Sequence, residues 1–351
     1  MATHKPFDVV QTYQDLLKDD PDITMPVAAI EALIHGLATT SSTTVSGTLA
    51  LVSDLTSQLK TAVPNAISLS AGTDLFQQYL VANIQRSSSR SGDFASVREH
   101  LVQNGRLFVE RAKAARATIA GFGRHFVRDG NTVLTNGGSR VVGEMLKSAA
   151  ESRNGRGRGS IRFKVIYVVS DSNDEAESAA NIAALRARDI PVATIPPTAV
   201  AYVMDTVSQC FVGAEGVVEN GGIVSRLGTF QMAVLAKASG KPFYVVSESH
   251  KFVRLYPLGQ GDLGIEQHVV DFRTATGGDE AEDASKELKD EGVEDTDCVV
   301  EADQKAALKQ RGSKVEDAVD YTPPHLIEGI ITESGVLLPS AVSEELIKIW
   351  F

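Results

Sequence analysis

The sequence predicts an α/β protein: an all-helical N-terminal domain followed by a Rossmann-like C-terminal domain on a parallel sheet. Two observations carry the prediction. From Phe7 to about Phe122, apolar residues recur at helical spacing with almost no β-branched alternation. After Gly121, short apolar runs alternate with helical stretches, the pattern of a parallel sheet covered on both faces. A chain of 351 residues has room for roughly two domains, and the change of pattern puts their boundary between 1–124 and 125–351.

The elements follow in order. Helices are predicted at Phe7 to Lys18, Met25 to Ala38, Val45 to Ala62, Leu75 to Ile84 and Phe94 to about Ala120. Their breaks are Asp19-Asp20-Pro21-Asp22, Thr39 to Thr44, Pro64-Asn65 and Arg86 to Gly92, all rich in residues that favour turns and caps. Strands are predicted at Thr132 to Thr135, Lys164 to Val169, Val192 to Ile195, Cys210 to Val212, Phe243 to Val246 and Gly329 to Thr332. Between and after them come helices at Arg140 to Glu151, Glu175 to Arg188, Ala199 to Asp205, Leu227 to Ser239 and Ser343 to Ile349. Asn154 to Ser160 reads as a flexible connection. The acidic segment 274–318 has few large apolar residues and is expected to be a disordered or locally helical insert in the second domain.

Composition excludes several classes. No run approaches the ~20 apolar residues of a membrane span, and the N-terminus lacks the apolar core of a targeting segment, so a cytoplasmic protein is expected. Two cysteines, Cys210 and Cys298, fit a reducing compartment. The net charge is −11, but 14 acidic and only 6 basic residues lie between Thr274 and Ala318, so the rest of the chain carries only −3. A near-neutral body suits protein contacts better than direct nucleic-acid binding. The apolar C-terminal side chains Leu337, Leu338, Ile347, Ile349, Trp350 and Phe351 need cover, either from the chain's own sheet or from a dimer or intersubunit face.

The stretch Val212 to Thr229 combines Glu215, Glu219, Asn220 and Arg226 with a glycine-rich turn. Further polar clusters end three other predicted strands, at Thr135 to Arg140, Ser170 to Asn173 and Ser247 to Lys251. Parallel strands bring their carboxyl ends to one edge, where such sheets place ligands. Asn136, Gly137, Arg140, Glu215, Asn220, Arg226, Thr229, Lys251 and Arg254 are therefore the candidate ligand-binding residues. Carboxylates would accept from sugar hydroxyls, while glycine turns entering helices at Ser139 and Gly228 would offer N–H groups to a phosphate. A sugar phosphate or nucleotide monophosphate fits this composition; ordinary helix caps and surface ion pairs are the plainer alternative. The Gly259-x-Gly261-x-x-Gly264 match is discounted, because Ile265 to Phe272 after it reads as a strand where a dinucleotide fingerprint needs a helix. No nucleophile elbow or metal-binding motif occurs.

Long runs also carry a resemblance. Val-Gly-Ala-Glu-Gly-Val-Val-Glu-Asn-Gly-Gly from Val212, Lys-Pro-Phe-Tyr-Val-Val from Lys241, Lys-Phe-Val-Arg-Leu-Tyr-Pro-Leu from Lys251 and Gly-Val-Leu-Leu-Pro-Ser-Ala-Val-Ser from Gly335 resemble the alpha-subunit family of eukaryotic translation initiation factor 2B. The resemblance implies the same two-domain fold and kinship with methylthioribose-1-phosphate and ribose-1,5-bisphosphate isomerases. It also implies a regulatory subunit of the guanine nucleotide exchange factor for initiation factor 2. Such a subunit forms a homodimer, joins the beta, delta, gamma and epsilon subunits and helps to sense phosphorylated initiation factor 2. The surface for that last partner is expected on the helical domain, with Thr39, Thr40, Thr43 and Thr44 as candidates.

In the isomerases a catalytic cysteine follows Leu-Thr-His and a catalytic aspartate follows Gly-Ala. This chain has Leu134-Thr135-Asn136 followed by Gly137, and Gly213-Ala214 followed by Glu215. Glycine cannot serve as acid, base or nucleophile. The resemblance thus implies a pocket without isomerase turnover, needing neither metal nor cofactor, with an isomerase using Glu215 as the alternative.

Overall fold

The computed structural model describes residues 7–20, 23–39, 44–63, 66–87, 94–151, 162–170, 172–265, 267, 269–270 and 318–350. The chain divides into one unit of Met1–Ile265 with Val319–Phe351 and another of Glu266–Ala318; the first is described below. The loop at Asn154 to Ser160, Cys298 and nearly all of the acidic insert lie outside the described residues.

Five helices open the chain: α1 Val9–Asp19, α2 Met25–Thr39, α3 Val45–Ala62, α4 Ile67–Ser87 and α5 Phe94–Gly123. Asp8 caps α1 by accepting from the Gln11 N–H, and Thr44 caps α3 by accepting from that of Gly47. Helix α2 is apolar almost all round, with ten buried residues, because it is the centre of the bundle and packs on α1, α3, α4 and α5. Helix α4 starts eight residues earlier than the sequence pattern predicts. Its first turns hold Ser68, Ser70, Gly72 and Thr73, small residues that show no helical apolar period but serve close packing. A Cβ on Gly72 would lie 2.7 Å from both the Pro26 carbonyl oxygen and its Cβ, so only glycine lets α4 pass α2 at that distance. Helix α5 enters two cores: Val109 and Ala112 pack with the bundle, Ile119 with the sheet.

The second half alternates strand and helix, with β1 Thr132–Asn136, α6 Arg140–Glu151, β2 Lys164–Val168, α7 Ser172–Arg186, β3 Val192–Ile195, α8 Val200–Val203 and β4 Gln209–Val212. Then follow β5 Gly216–Val218, β6 Ile223–Arg226, α9 Thr229–Ala238, β7 Phe243–Val246, β8 Phe252–Val253, β9 Val319–Thr322, β10 Gly329–Thr332, β11 Gly335–Leu337 and α10 Val342–Trp350. The main sheet runs β11-β10-β7-β4-β1-β2-β3, parallel except for β11. Leu134, Cys210 and Val245 face the core shared with Met232, Ala233 and Leu346, while Val133, Phe211 and Val246 face the core shared with Val142, Met145 and Leu185. Both faces are thus covered, which accounts for the uninterrupted apolar runs.

A second sheet, β8-β5-β6-β9, is absent from the sequence reading. Its strands are two to four residues long, too short for a period to register. The glycine-rich stretch after Val212 folds as a β5–β6 hairpin, closed by the Gly221 N–H donating to the Val218 carbonyl at 2.8 Å. Gly221 has φ +85°, and a Cβ there would lie 2.1 Å from the Pro339 carbonyl oxygen, so both conformation and packing demand glycine. The outer edge of β9 is closed by a side chain: Gln260 accepts from the Tyr321 N–H at 2.7 Å and donates to its carbonyl at 2.8 Å. The strand predicted at Ile265 to Phe272 is not seen in the residues described there. Its described residues 265, 267, 269 and 270 belong to no strand, and Val270 is 68% exposed, with no sheet neighbour to bury it.

Candidate functional site

The carboxyl ends of β1, β4 and β7 meet at one edge, and the turns leaving them set the site. Asn136 ends β1 buried, and its amide donates to Thr229 Oγ1 at 3.2 Å. Thr229 donates in turn to the Arg226 carbonyl at 2.6 Å. The turn after β4 lies under the start of α6. A Cβ on Gly213 would sit 2.3 Å from Ser139 Oγ, and the Gly213 carbonyl accepts from Ser225 Oγ at 3.1 Å. Lys251 donates to the Ala214 carbonyl at 3.2 Å, beside half-buried Glu215. Gly137 turns with φ +65° between β1 and α6. Asn136, Gly137, Glu215, Arg226, Thr229 and Lys251 therefore gather at this edge.

Arg140 leaves the edge on its other side and donates to the Ile23 carbonyl just before α2, at 2.9 Å. Two candidates fall elsewhere. Strands β5 and β8 run parallel with Val217 opposite Phe252 and Val218 opposite Val253, so Lys251 stands at the Glu215 end and Arg254 at the hairpin tip. Asn220 is at that tip too, donating to the Pro257 carbonyl and to Tyr321 Oη, each at 2.8 Å, and accepting from the Gly222 N–H at 2.9 Å. Arg254 is level with Glu219, four residues along from Glu215, and at about 3.3 Å per strand residue that is roughly 13 Å, so Asn220 and Arg254 belong to the second sheet and not to this edge. In the sequence this hairpin looks like a single loop, because its strands are too short to show a period.

The start of α9 also differs from expectation. Gly228 precedes the helix at φ +96°, and its N–H and that of Phe230 donate to the buried Asp320 carboxylate, at 2.7 Å and 3.0 Å. The place anticipated for a phosphate is filled by an acid from β9, 92 residues away in sequence. Burial raises the Asp320 pKa to about 7 against the opposing pull of those N–H donors. No local sequence signal links the two positions.

The turn after β7 holds a buried charge cluster. Glu248 is 1% exposed; Lys251 Nζ lies 3.1 Å from its carboxylate and Arg116 Nε of α5 lies 3.8 Å away. Burial, the largest influence, opposes ionisation, but Lys251 foremost, with His250, a backbone N–H and Arg116, brings the Glu248 pKa down to about 2. Burial holds His250 at about 4 despite the Glu248 charge, so its ring is neutral at pH 7, and Nε2 pairs with Thr24 Oγ1 at 3.2 Å. Beside this cluster, Asp20, Ile23, Thr24, Val27, Ala112, Lys113 and Arg116 line a cavity of about 240 Å³.

Of the helical candidates, Thr39 ends α2 with its hydroxyl donating to the His35 carbonyl at 2.9 Å, and Thr44 caps α3. Thr40, Thr43 and Asp171 lie outside the described residues. Among the described residues no group of His, Cys, Asp and Glu side chains could hold a metal ion, and no helix is long and apolar enough to cross a membrane.

Fold and site together define a helical bundle joined to a Rossmann-like sheet, with a cluster of polar side chains at the sheet's carboxyl edge. The chain belongs to the initiation factor 2 subunit family, whose model matches residues 18–339. It is 33% identical over 99% of its length to translation initiation factor eIF2B subunit alpha of Dictyostelium discoideum, covering 98% of that protein. It is also 26% identical, over 79% of its length and 72% of the relative's, to a ribose 1,5-bisphosphate isomerase of Archaeoglobus fulgidus. In fold it is similar to a chain of the tetrameric eIF2B-beta2-delta2 complex from C. thermophilum, with TM-score 0.68, 19% identity, and 97% of this chain and 94% of that chain covered.

Proposed function

We propose that this chain is the alpha-type regulatory subunit of initiation factor 2B and is not itself an enzyme. The likeness to an alpha subunit along almost the entire length of both proteins carries the reading. In this role the chain forms a homodimer through the domain at 125–351 and joins beta, delta, gamma and epsilon subunits in the cytoplasm. Its helical domain, 1–124, helps to sense phosphorylated initiation factor 2 around Thr39 to Thr44. Mass determination of the isolated chain, alone and mixed with beta and delta subunits, tests this. A dimer that joins a larger assembly is expected; a monomer that ignores both partners overturns it.

The crevice supports a binding role. It retains Glu215, Arg226, Thr229 and Lys251 beside Asn136 and Gly137, with Arg140 turned away to the Ile23 carbonyl, but glycine stands where the isomerases carry their nucleophile. Its ligand is a sugar phosphate or a nucleotide monophosphate, at a site from which Asn220 and Arg254 are now removed. Calorimetric titration with sugar phosphates should give saturable binding weakened by Arg226→Ala, and no heat at millimolar ligand removes this part. The likeness to an isomerase makes turnover the second reading. Incubation with ribose 1,5-bisphosphate or methylthioribose 1-phosphate should yield no product; turnover abolished by Glu215→Gln would establish an enzyme instead.

A further inference from the structure

We propose that the turn Glu248–Lys251 is a latch that couples the crevice backbone beside Glu215 to helices α2 and α5 of the bundle. Five contacts on four consecutive residues carry this. Lys251 holds the Ala214 carbonyl at 3.2 Å, one peptide from Glu215, while its ammonium stands 3.1 Å from Glu248. Glu248 in turn faces Arg116 of α5 at 3.8 Å, and His250 bonds Thr24 at the entry to α2. Ser249, between them, donates through its N–H and its hydroxyl to Glu333, next to β10, so the turn has a fixed anchor in the main sheet.

Burial makes these contacts interdependent. Glu248 and His250 are 1% and 3% exposed, so a partner that moves leaves a buried polar group that solvent reaches poorly. If Lys251 leaves Glu248, a buried carboxylate is left to Arg116 and must either draw α5 closer or move itself. If the α2 entry moves, His250 follows through Thr24, and the main chain it shares with Lys251 shifts the contact to Ala214. The crevice reading adds one consequence, resting on the proposed function: an anion beside Glu215 competes with Glu248 for the Lys251 ammonium, so its arrival is felt at α5. The latch itself exists with or without such a ligand.

Amide hydrogen exchange on the full chain tests it. Thr24→Val keeps the shape at α2 and deletes only the bond to His250. It should speed exchange several-fold at Glu215, whose N–H is bonded to the Val224 carbonyl on the far side of the turn. Lys251→Met should likewise speed exchange along residues 109–120 of α5, and Lys251→Arg should restore protection. Arg188→Met, which removes a surface pair with Glu151, serves as the control and should alter neither region. Changes confined to 23–28 and 248–253 in Thr24→Val would overturn the proposal. That conservative variant decides the matter even if Lys251→Met fails to fold. Adding sugar phosphate to the wild type separates the two readings: no response with the mutant couplings intact removes the ligand and leaves the latch.

Discussion

Glu248→Gln is the sharpest perturbation available, because it keeps the side-chain volume and removes one buried charge. The carboxylate's pKa falls from the ordinary 4.5 to about 2 in the folded chain. At 1.36 kcal/mol per unit, the native surroundings favour the ionised form by about 3 kcal/mol, similar to the roughly 3–5 kcal/mol lost when one partner of a buried pair is removed. The sign of the pH dependence follows from a depressed acid. The stabilisation is complete above the unfolded value near 4.5 and is lost as pH falls through the folded value near 2. Urea unfolding should therefore put the variant about 3 kcal/mol below the wild type at pH 7, with an unchanged slope on denaturant, and at about half that deficit by pH 3. A midpoint equal to wild type at pH 7, or a deficit that does not narrow on acidification, would refute the reasoning that Lys251 and its neighbours hold the charge.

Asp320→Ala should cost about 1–2 kcal/mol by uncapping α9, read as a lower urea midpoint together with faster amide exchange at Gly228 and Phe230. The pH effect runs opposite to that of Glu248. A carboxyl raised to about 7 contributes stability that is fully present below 3.8 and lost as pH rises through 7, so this decline should be missing from the variant. Gly221→Ala must enter a left-handed conformation against the Pro339 carbonyl and should lower stability by about 2 kcal/mol or more on the same assay; a neutral result would mean that the hairpin tip relaxes freely. Asn136→Ala should cost only about 1 kcal/mol, because Thr229 keeps its bond to the Arg226 carbonyl; a much larger loss would show that Asn136 organises the whole edge.

What was legible in the chain followed from how many residues each signal spans. Helix α2 and the strands of the main sheet are long or apolar enough to display their period, and their order alone placed Asn136, Glu215 and Lys251 on one edge. The second sheet was not legible, since three residues such as Gly216-Val217-Val218 fit loop and strand alike. This hid the hairpin and placed Asn220 and Arg254 at the wrong end of it. Asp320 and Arg116 were missed for another reason: each reaches the site from a distant part of the chain, and nothing local marks a carboxylate that will cap a helix 92 residues earlier. The start of α4 was hidden because its serines, glycine and threonine give no apolar period, although they serve close helix contacts.

The amide of Gln260 imitates a strand partner, offering Tyr321 the donor and acceptor that another backbone would have presented. With that margin taken from within, β9 has no exposed pair there to template the addition of a foreign β-segment. At that point association is left to side chains, which discourages open-ended fibre growth there.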